Sequence, residues 1–496
     1  MTRPNIVWIT LDHLVYSHHK ELTGYPILPT YDRLCAEGLS FTNAFSVCPL
    51  CGPARASMLT GMYPHKHGLH MNDGENGARA DFEPDEQLFN TYLKRAGYRT
   101  GYFGKWHAGE VRVAQDYGFE GFSMPGYGHP YYSEEYKAYL NELDLPEPEV
   151  TIEWKFGDPS WSGKTVALKD FPNPYKSPYF LMESCGVLNT PVETHEAFFL
   201  THIANKWIDD VANDTQPFFL RIDPWGPHHP FFVAKPYLNQ VNPADLPEYP
   251  SFQNNLDHRP AHHRSLLEYR RKAGNSNRWE DWQFLLARCH EHATQVDAAV
   301  GRVIDFLKES GLLENTLIIY TTDHCGALGS NGGEFDKGWL MVDETVRIPM
   351  AMRWQDRIEP GVTTDKFVTN MDLVPTVLEA GNAEIPTTMD GKSMADLIQN
   401  PDQTSWREEV MLQHHGHYGE SHLQRQLRYK NYKYVAHLND KEELYDIVQD
   451  PYELENLVEL SHAKDILTDM RNRLRHQMML HDDHSSQAEA LLSQIN

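Results

Sequence analysis

Up to about residue 400, short apolar runs alternate with longer amphipathic stretches, the pattern left by βαβ units. Ile6–Leu11, Tyr98–Phe103, Pro217–Ile222 and Thr316–Tyr320 are short, largely apolar runs and are predicted as buried strands. Glu86–Arg95, Glu196–Val211 and Glu291–Ser310 are predicted as helices. In the last, Val296, Ala299, Val300, Val303, Ile304 and Leu307 recur at spacings of one, three and four. The predicted fold class is α/β, with a large, mostly parallel mixed sheet flanked by helices.

Two stretches interrupt this rhythm. Residues 122–190 are dense in Pro, Tyr, Trp and Gly (Pro125, Tyr127, Pro130, Tyr131, Tyr132, Trp154, Trp161), and read either as a packed excursion or as a wall of a pocket. Residues 240–285, polar and rich in Asn, His and Arg, form a second excursion. Past residue 400 the pattern changes: Gln424–Val435 suggests a hairpin and Ile466–Leu480 a closing helix. The expected organisation is a catalytic domain over 1–400 and a smaller α+β domain over 401–496. No repeat appears at solenoid or propeller periods.

The 496 residues carry 44 Lys+Arg against 70 Asp+Glu, a net charge of −26. That balance argues against nucleic-acid and anionic-membrane partners, which need a basic face. With 40% hydrophobic residues and 11% aromatic ones the chain is globular and not disordered, so a small-molecule or oligosaccharide substrate is the better expectation. Six cysteines (Cys35, Cys48, Cys51, Cys185, Cys289, Cys325) are too few for a disulfide scaffold and favour a reducing compartment. No apolar stretch of signal-peptide or membrane-spanning length is found, and the expected location is cytoplasmic.

Chemistry gathers where the predicted strands end. Ile6–Leu11 leads into Asp12-His13, Tyr98–Phe103 into Gly104-Lys105-Trp106-His107, Pro217–Ile222 into Asp223 and then Pro227-His228-His229-Pro230, and Thr316–Tyr320 into Asp323-His324. Open α/β sheets bind ligands outside the carboxyl ends of their strands, so these clusters are expected to converge. One His or Asp after a strand is usually a turn or cap residue; four clusters together are not so easily dismissed. Asp12, Asp323 and His324 are hard-to-borderline ligands suited to Ca2+, Mn2+ or Mg2+ and lack the thiolates of a structural zinc site. Lys105, His107, His228 and Lys337 add cationic or proton-transferring groups, a mixture that suits an anionic ester.

A further segment reads Cys48-Pro49-Leu50-Cys51-Gly52-Pro53-Ala54-Arg55-Ala56-Ser57-Met58-Leu59-Thr60-Gly61. Its CxxC lacks the second pair that zinc needs and the strand context of a thioredoxin-like dithiol. Pro53 suits the first turn of a helix, which puts Cys51 at an anion-attracting N-terminus; a buried Cys in a tight turn is the plainer alternative.

At Cys51-Gly-Pro-Ala-Arg55 and Leu59-Thr60-Gly61 the chain resembles the type I sulfatases of the alkaline phosphatase superfamily. Gly104-Lys105-Trp106-His107, Pro227-His228-His229-Pro230, Asp323-His324, Lys337-Gly338, Glu344-x-x-Arg347-x-Pro349 and Glu443-Leu-Tyr-Asp-Ile-Val-Gln-Asp450-Pro451 resemble that family's blocks in its order. The resemblance implies an alkaline-phosphatase-like fold and a sulfuric ester hydrolase. It also implies that a maturation enzyme oxidises Cys51 to Cα-formylglycine, whose hydrate attacks sulfur and gives a covalent sulfo-enzyme intermediate. In that scheme Arg55 steadies the diol and His107 is the base for its collapse. Lys105, His228 and Lys337 bind sulfate oxygens or protonate the leaving group, and Asn72 resembles a substrate-binding asparagine of choline-sulfatase-like and phosphonate-hydrolase-like members. One divalent metal, Ca2+ or Mn2+ with Mg2+ as an alternative, is expected on Asp12, His13, residue 51, Asp323 and His324.

The chain departs from the family pattern at Asp12-His13, where many members have Asp-Asp, so the second ligand is an imidazole or is absent. It also reads Asp323-His324-Cys325, where Asp-Asn-Gly or Asp-His-Gly is usual. A phosphonate or phosphate ester hydrolase with the same nucleophile is the alternative chemistry, and a non-catalytic glycan or protein binder the alternative class. The complete constellation argues against the binder, and a homo-oligomer is compatible with either enzyme. His65, His67 and His70 are expected to be structural or pocket-lining, and His414-His415-Gly416-His417 to be a solvated loop.

Overall fold

A computed structural model describes residues 3–170, 183–212, 214, 216–272, 274, 276–402 and 405–495. Its centre is an eight-stranded sheet in the order Val362–Thr364, Leu39–Phe41, Met350–Arg353, Thr316–Thr322, Asn5–Leu11, Phe218–Asp223, Arg99–Lys105, Glu120–Met124. Met350–Arg353 runs antiparallel to both neighbours; every other pairing is parallel. The mixed α/β class expected from the apolar rhythm is the one observed.

Alternation within the strands builds two cores. Val7, Ile9 and Leu11 with Leu220, Ile222, Ile318 and Tyr320 face one side, where the helices Glu196–Ala212 and Trp279–Glu309 cover them. Ile6 and Trp8 with Phe219, Leu317 and Ile319 face the other, against the helices Cys51–Thr60, Phe89–Arg95 and Leu373–Ala380. A strand buried on both faces reads as a continuous apolar run, and these do. The helix expected over 291–310 starts twelve residues earlier, at Trp279, because its first turns bury Trp282, Leu285 and Leu286 in a separate cluster. The backbone at Gly104 (φ 122°) curls the strand Arg99–Lys105 so tightly against Phe218–Asp223 that a Cβ there would stand 2.0 Å from the Asp223 carbonyl oxygen.

The first excursion is ordered around a second sheet, in the order Phe231–Ala234, Ser184–Leu188, Glu149–Lys155, Thr165–Ala167. Residues 171–182 lie outside the described residues. The second excursion contains the helix Ala261–Lys272. The smaller C-terminal part is an antiparallel meander of Glu409–His417, Glu420–Tyr429, Tyr432–His437 and Glu443–Asp446, with the helix Lys464–Leu480 packed on it through Leu467, Met470, Leu474 and Met478. Val47, Tyr63 and Met371 belong to the same apolar cluster, so the meander shares its core with segments flanking the Cys51 helix.

One expectation fails here. His414, His415 and His417 are not on a solvated loop; they lie in the strand Glu409–His417 and are buried. Polar composition suggested a loop, but Trp339 Nε1 donates to the His417 carbonyl at 2.9 Å and the His415 ring packs 4.7 Å from that of His70. Among the described residues no helix is long and apolar enough to cross a membrane.

Candidate active site

Leu50 is extended (φ −143°, ψ 132°), and the chain turns helical at Cys51, which sits at the N-terminus of the wholly buried helix Cys51–Thr60. That end of a helix carries exposed N–H groups and partial positive charge. Gly52 N–H donates to Asn72 Oδ1 at 2.9 Å, and a Cβ at Gly52 would meet that oxygen at 2.8 Å and the His107 carbonyl at 3.3 Å. Only glycine fits the approach of Asn72 and His107 to the helix end. Cys51 Sγ lies 3.0 Å from His324 Nε2.

Arg55, one turn further on, is enclosed by the ends of four adjacent strands. Its Nε donates to Asp323 Oδ2 at 2.9 Å, and one terminal nitrogen donates to Asp223 Oδ2 at 2.8 Å and to the Lys105 carbonyl at 2.9 Å. The other reaches Asp12 Oδ1 at 3.5 Å. Lys105 Nζ donates to Asp12 Oδ2 at 2.6 Å, and Asp323 Oδ1 accepts from the backbone N–H of His13 and His324. All these side chains are fully buried. Against the desolvation of burial, Arg55, His324 and Lys105 hold Asp323 well below the usual carboxylate range, whereas burial pushes Asp12 up.

Asp12, Cys51, Asp323 and His324 bring one donor atom each to within 4.8 Å of one another. His324 Nδ1 lies 2.8 Å from the Cys325 carbonyl oxygen, which only accepts, so the ring proton is fixed there and Nε2 keeps its lone pair. Burial pushes the His324 pKa down, which favours the neutral ligand form. Two carboxylates, an oriented imidazole and residue 51 thus fit a single divalent cation of the Ca2+ or Mn2+ kind.

His13 is not in this four-atom group, although its ring centroid is 4.9 Å from that of His324. Its ring lies in a neighbouring group with His228, His229 and Asp336, Nε2 being 3.3 Å from Asp336 Oδ1 and the ring centroid 4.8 Å from that of His228. Lys337 Nζ donates to Asp336 Oδ1 at 3.0 Å; against desolvation, Asp336 and Cys51 raise the Lys337 pKa, so it stays a cation. His228 Nδ1 lies 2.7 Å from both the His229 carbonyl and the Tyr127 hydroxyl, and burial holds this ring neutral. Lys105 Nζ sits 4.1 Å above the Tyr127 ring. His107 Nε2 is 3.4 Å from Asp73 Oδ1, and its ring is 5.6 Å from that of Tyr127.

The structure therefore draws Asp12, Cys51, Arg55, Asn72, Lys105, His107, Asp323 and His324 around the end of one helix, with His13, His228 and Lys337 in the adjoining group. Asp223, Asp336, Tyr127 and Asp73 are part of the same network and were not singled out from sequence. Asp223 carried the available signal, since it too follows a strand; Tyr127 stood only among the aromatics of a stretch that read either as a packed excursion or as a pocket wall. His67 bonds Ser57 Oγ at 3.1 Å and so braces the Cys51 helix, whereas His65 bonds Gln413 and the His481 carbonyl and ties the next turn to the C-terminal part.

Behind His228 lies a cavity lined by His129, Tyr131, His195, Glu196, Trp225 and His292. Glu196 Oε1 accepts from Gly226 N–H at 2.9 Å, and burial, with Asp12 adding to it, pushes this carboxyl up to about 8. Native Glu196 keeps its proton between its ordinary value of 4.5 and about 8, whereas the unfolded chain loses it. Wild-type stability therefore falls as pH rises through that window. Glu196→Gln should be more stable than wild type by an amount that grows across the window to a few kcal/mol and is then constant, as read from melting curves at several pH values. Arg55→Met leaves three buried carboxylates without their shared cation and should cost about 3–5 kcal/mol in urea unfolding.

Comparison with known proteins places this geometry. The family described as "Sulfatase" matches residues 4–383, and that described as "N-sulphoglucosamine sulphohydrolase, C-terminal" matches residues 330–479. An ulvan-active sulfatase of Formosa agariphila is 27% identical over 475 residues, covering 92% of this chain and 77% of that protein. The fold is shared with a protein solved in complex with its substrate D-glucosamine-2-N,6-O-disulfate (TM-score 0.71, 21% identity, 98% and 99% of the two chains). It is shared as well with the phosphonate monoester hydrolase of Silicibacter pomeroyi (TM-score 0.75, 22% identity, 96% of each chain). With more than three quarters of its length matched to the family, this chain belongs to the sulfatases, the sulfuric ester hydrolases of the alkaline phosphatase superfamily.

Proposed function

We propose that the protein hydrolyses a sulfate ester in the crevice above Arg55, with residue 51 in its oxidised, formylglycine form and one divalent cation bound. The observation that carries this reading is the position of Cys51 Sγ, 3.0 Å from His324 Nε2 at a helix N-terminus and within one donor set with Asp12 and Asp323. An aldehyde hydrate at residue 51 supplies a nucleophilic oxygen that can later release sulfate by C–O cleavage, which a serine could not do. A Ca2+ or Mn2+ ion held by Asp12, Asp323, His324 and residue 51 supplies a Lewis acid.

The remaining roles fall to side chains of the chain itself. Lys105 and Lys337 bind the sulfate oxygens from two sides of the crevice. His228, held neutral with its proton at Nδ1 against the His229 carbonyl, offers Nε2 as an acceptor, and the Lys337 ammonium supplies the proton for the leaving oxygen. His107 keeps its proton at Nε2 beside Asp73 and accepts another at Nδ1, acting as the base. Arg55 fixes Asp12 and Asp323 and does not need to move during turnover. Asn72 holds the N–H of Gly52 and thereby the start of the helix.

The ulvan-active relative and the glucosamine disulfate complex support a sulfated saccharide as the substrate class. A maturation enzyme that oxidises Cys51 is then an obligatory partner. The decisive test joins mass spectrometry to mutagenesis. In a host that contains the maturation enzyme, the peptide carrying residue 51 should have the mass of formylglycine, while Cys51→Ala and His107→Ala should lose turnover by at least about 100-fold with unchanged unfolding curves. Unmodified cysteine in fully active enzyme, or near-wild-type rates in either variant, contradicts the assignment.

A further inference from the structure

Where the second excursion meets the C-terminal meander, far in sequence from Cys51, three buried histidines face one another. His262 and His263 lie in the first turn of the helix Ala261–Lys272, and His437 ends the strand Tyr432–His437. The ring centroids are 4.4 Å apart for His262 and His263, 5.1 Å for His262 and His437, and 5.6 Å for His263 and His437. One ring nitrogen from each lies within 4.8 Å of the others.

The other nitrogen of every ring is already engaged. His262 Nδ1 is 3.0 Å from Asp440 Oδ2, His263 Nε2 is 3.1 Å from the Trp339 carbonyl, and His437 Nε2 is 2.8 Å from Glu443 Oε1. These partners are acceptors only, so each engaged nitrogen carries the ring proton and the opposite one bears a lone pair. Those opposite atoms, His262 Nε2, His263 Nδ1 and His437 Nδ1, are buried and have no hydrogen-bond partner. Three unsatisfied acceptors in one buried spot are costly unless an electron-poor centre joins them. Imidazoles oriented by a carboxylate or a carbonyl on the far nitrogen are the arrangement by which proteins present histidine to a metal. Burial also holds His263 and His437 in the neutral form that a ligand must have.

We propose that His262, His263 and His437 bind a divalent transition-metal ion, Zn2+ foremost, through His262 Nε2, His263 Nδ1 and His437 Nδ1. An all-imidazole set selects zinc and its neighbours over Ca2+, Mn2+ and Mg2+, so this site and the crevice would not compete for one ion. Tetrahedral zinc with bonds of about 2.0–2.1 Å needs its nitrogens about 3.3 Å apart, within reach of small ring rotations. Water fills the fourth position, or His422, which stacks on His262 at 4.5 Å and whose Nε2 also lacks a partner. The ion would staple the helix Ala261–Lys272 to the meander. It would also brace Trp339, two residues beyond Lys337, whose carbonyl is shared by His263 and Gln424 Nε2.

The test uses the full chain stripped with a chelator and titrated with Zn2+ or Co2+. Wild type and Asp323→Asn should each take up about one tightly held Zn2+, and their Co2+ forms should show the intense visible bands of a four-coordinate site. Zn2+ should raise the melting temperature of both, while His263→Gln/His437→Gln should lose the Co2+ bands and the Zn2+-dependent shift. Should that variant not fold, X-ray absorption at the zinc edge of wild type decides, with three imidazoles expected. Zinc uptake that disappears in Asp323→Asn and persists in the histidine variant, an oxygen-dominated zinc environment, or no zinc uptake at all overturns the proposal.

Discussion

The structure depends on the burial of one guanidinium. Arg55 touches Asp323, Asp223, Asp12 and the Lys105 carbonyl, the ends of four strands that are consecutive in the sheet. Taking that many charges out of water is costly, and the cost is offset only when every charge is paired with good geometry. A slip in register of any of these strands would strand a carboxylate, so the electrostatic requirement and the parallel pairing specify each other. The hub also sorts its partners: Asp223 is used up on Arg55, Arg221 and Tyr102, while Asp12 and Asp323 keep oxygen atoms near Cys51 and His324.

Much of this was legible because doubly buried strands write themselves as apolar runs, and the polar residue that ends each run marks the ligand-binding edge of the sheet. Asp12, Lys105 and Asp323 follow from that rule alone. Asp223 obeys the same rule and stood among the strand-end clusters, but no role was given to it, since sequence does not tell which end residue turns toward Arg55. The contacts of Tyr127 with His228 and of Asp336 with Lys337 were illegible for another reason, being fixed only by tertiary packing. The histidines at 414–417 were misjudged on composition, which cannot see that an edge of the meander lies against Trp339 and His70. His13 entered the ligand set through the family's Asp-Asp pair, with an imidazole or no second ligand both open; its ring falls among His228, His229 and Asp336, 4.9 Å from that of His324.

The C-terminal meander is more than an appendage to the catalytic sheet. Tyr418 donates to Asp336 Oδ2 at 2.7 Å, Trp339 Nε1 bonds the His417 carbonyl, and Arg428 pairs with buried Asp343. The segment carrying Lys337 is thus held from the meander side while Asp336 holds the lysine itself. A side chain set on a loop needs such outside support to be as well placed as one at the end of a strand. The net charge of −26 is consequently a poor guide to the crevice, where Arg55, Lys105 and Lys337 place three cations among the carboxylates.

The central claim is that this crevice is built for a sulfate ester and not merely for any tetrahedral anion. The most direct measurement is the ratio of kcat/KM for an aryl sulfate to that for an aryl phosphonate monoester with the same leaving group, on fully matured, metal-loaded enzyme. Lys105, His107, His228 and Lys337 around residue 51 predict that the sulfate is the faster substrate. A phosphonate monoester turned over much faster than the sulfate would contradict the account and make the protein a phosphonate hydrolase on a sulfatase fold.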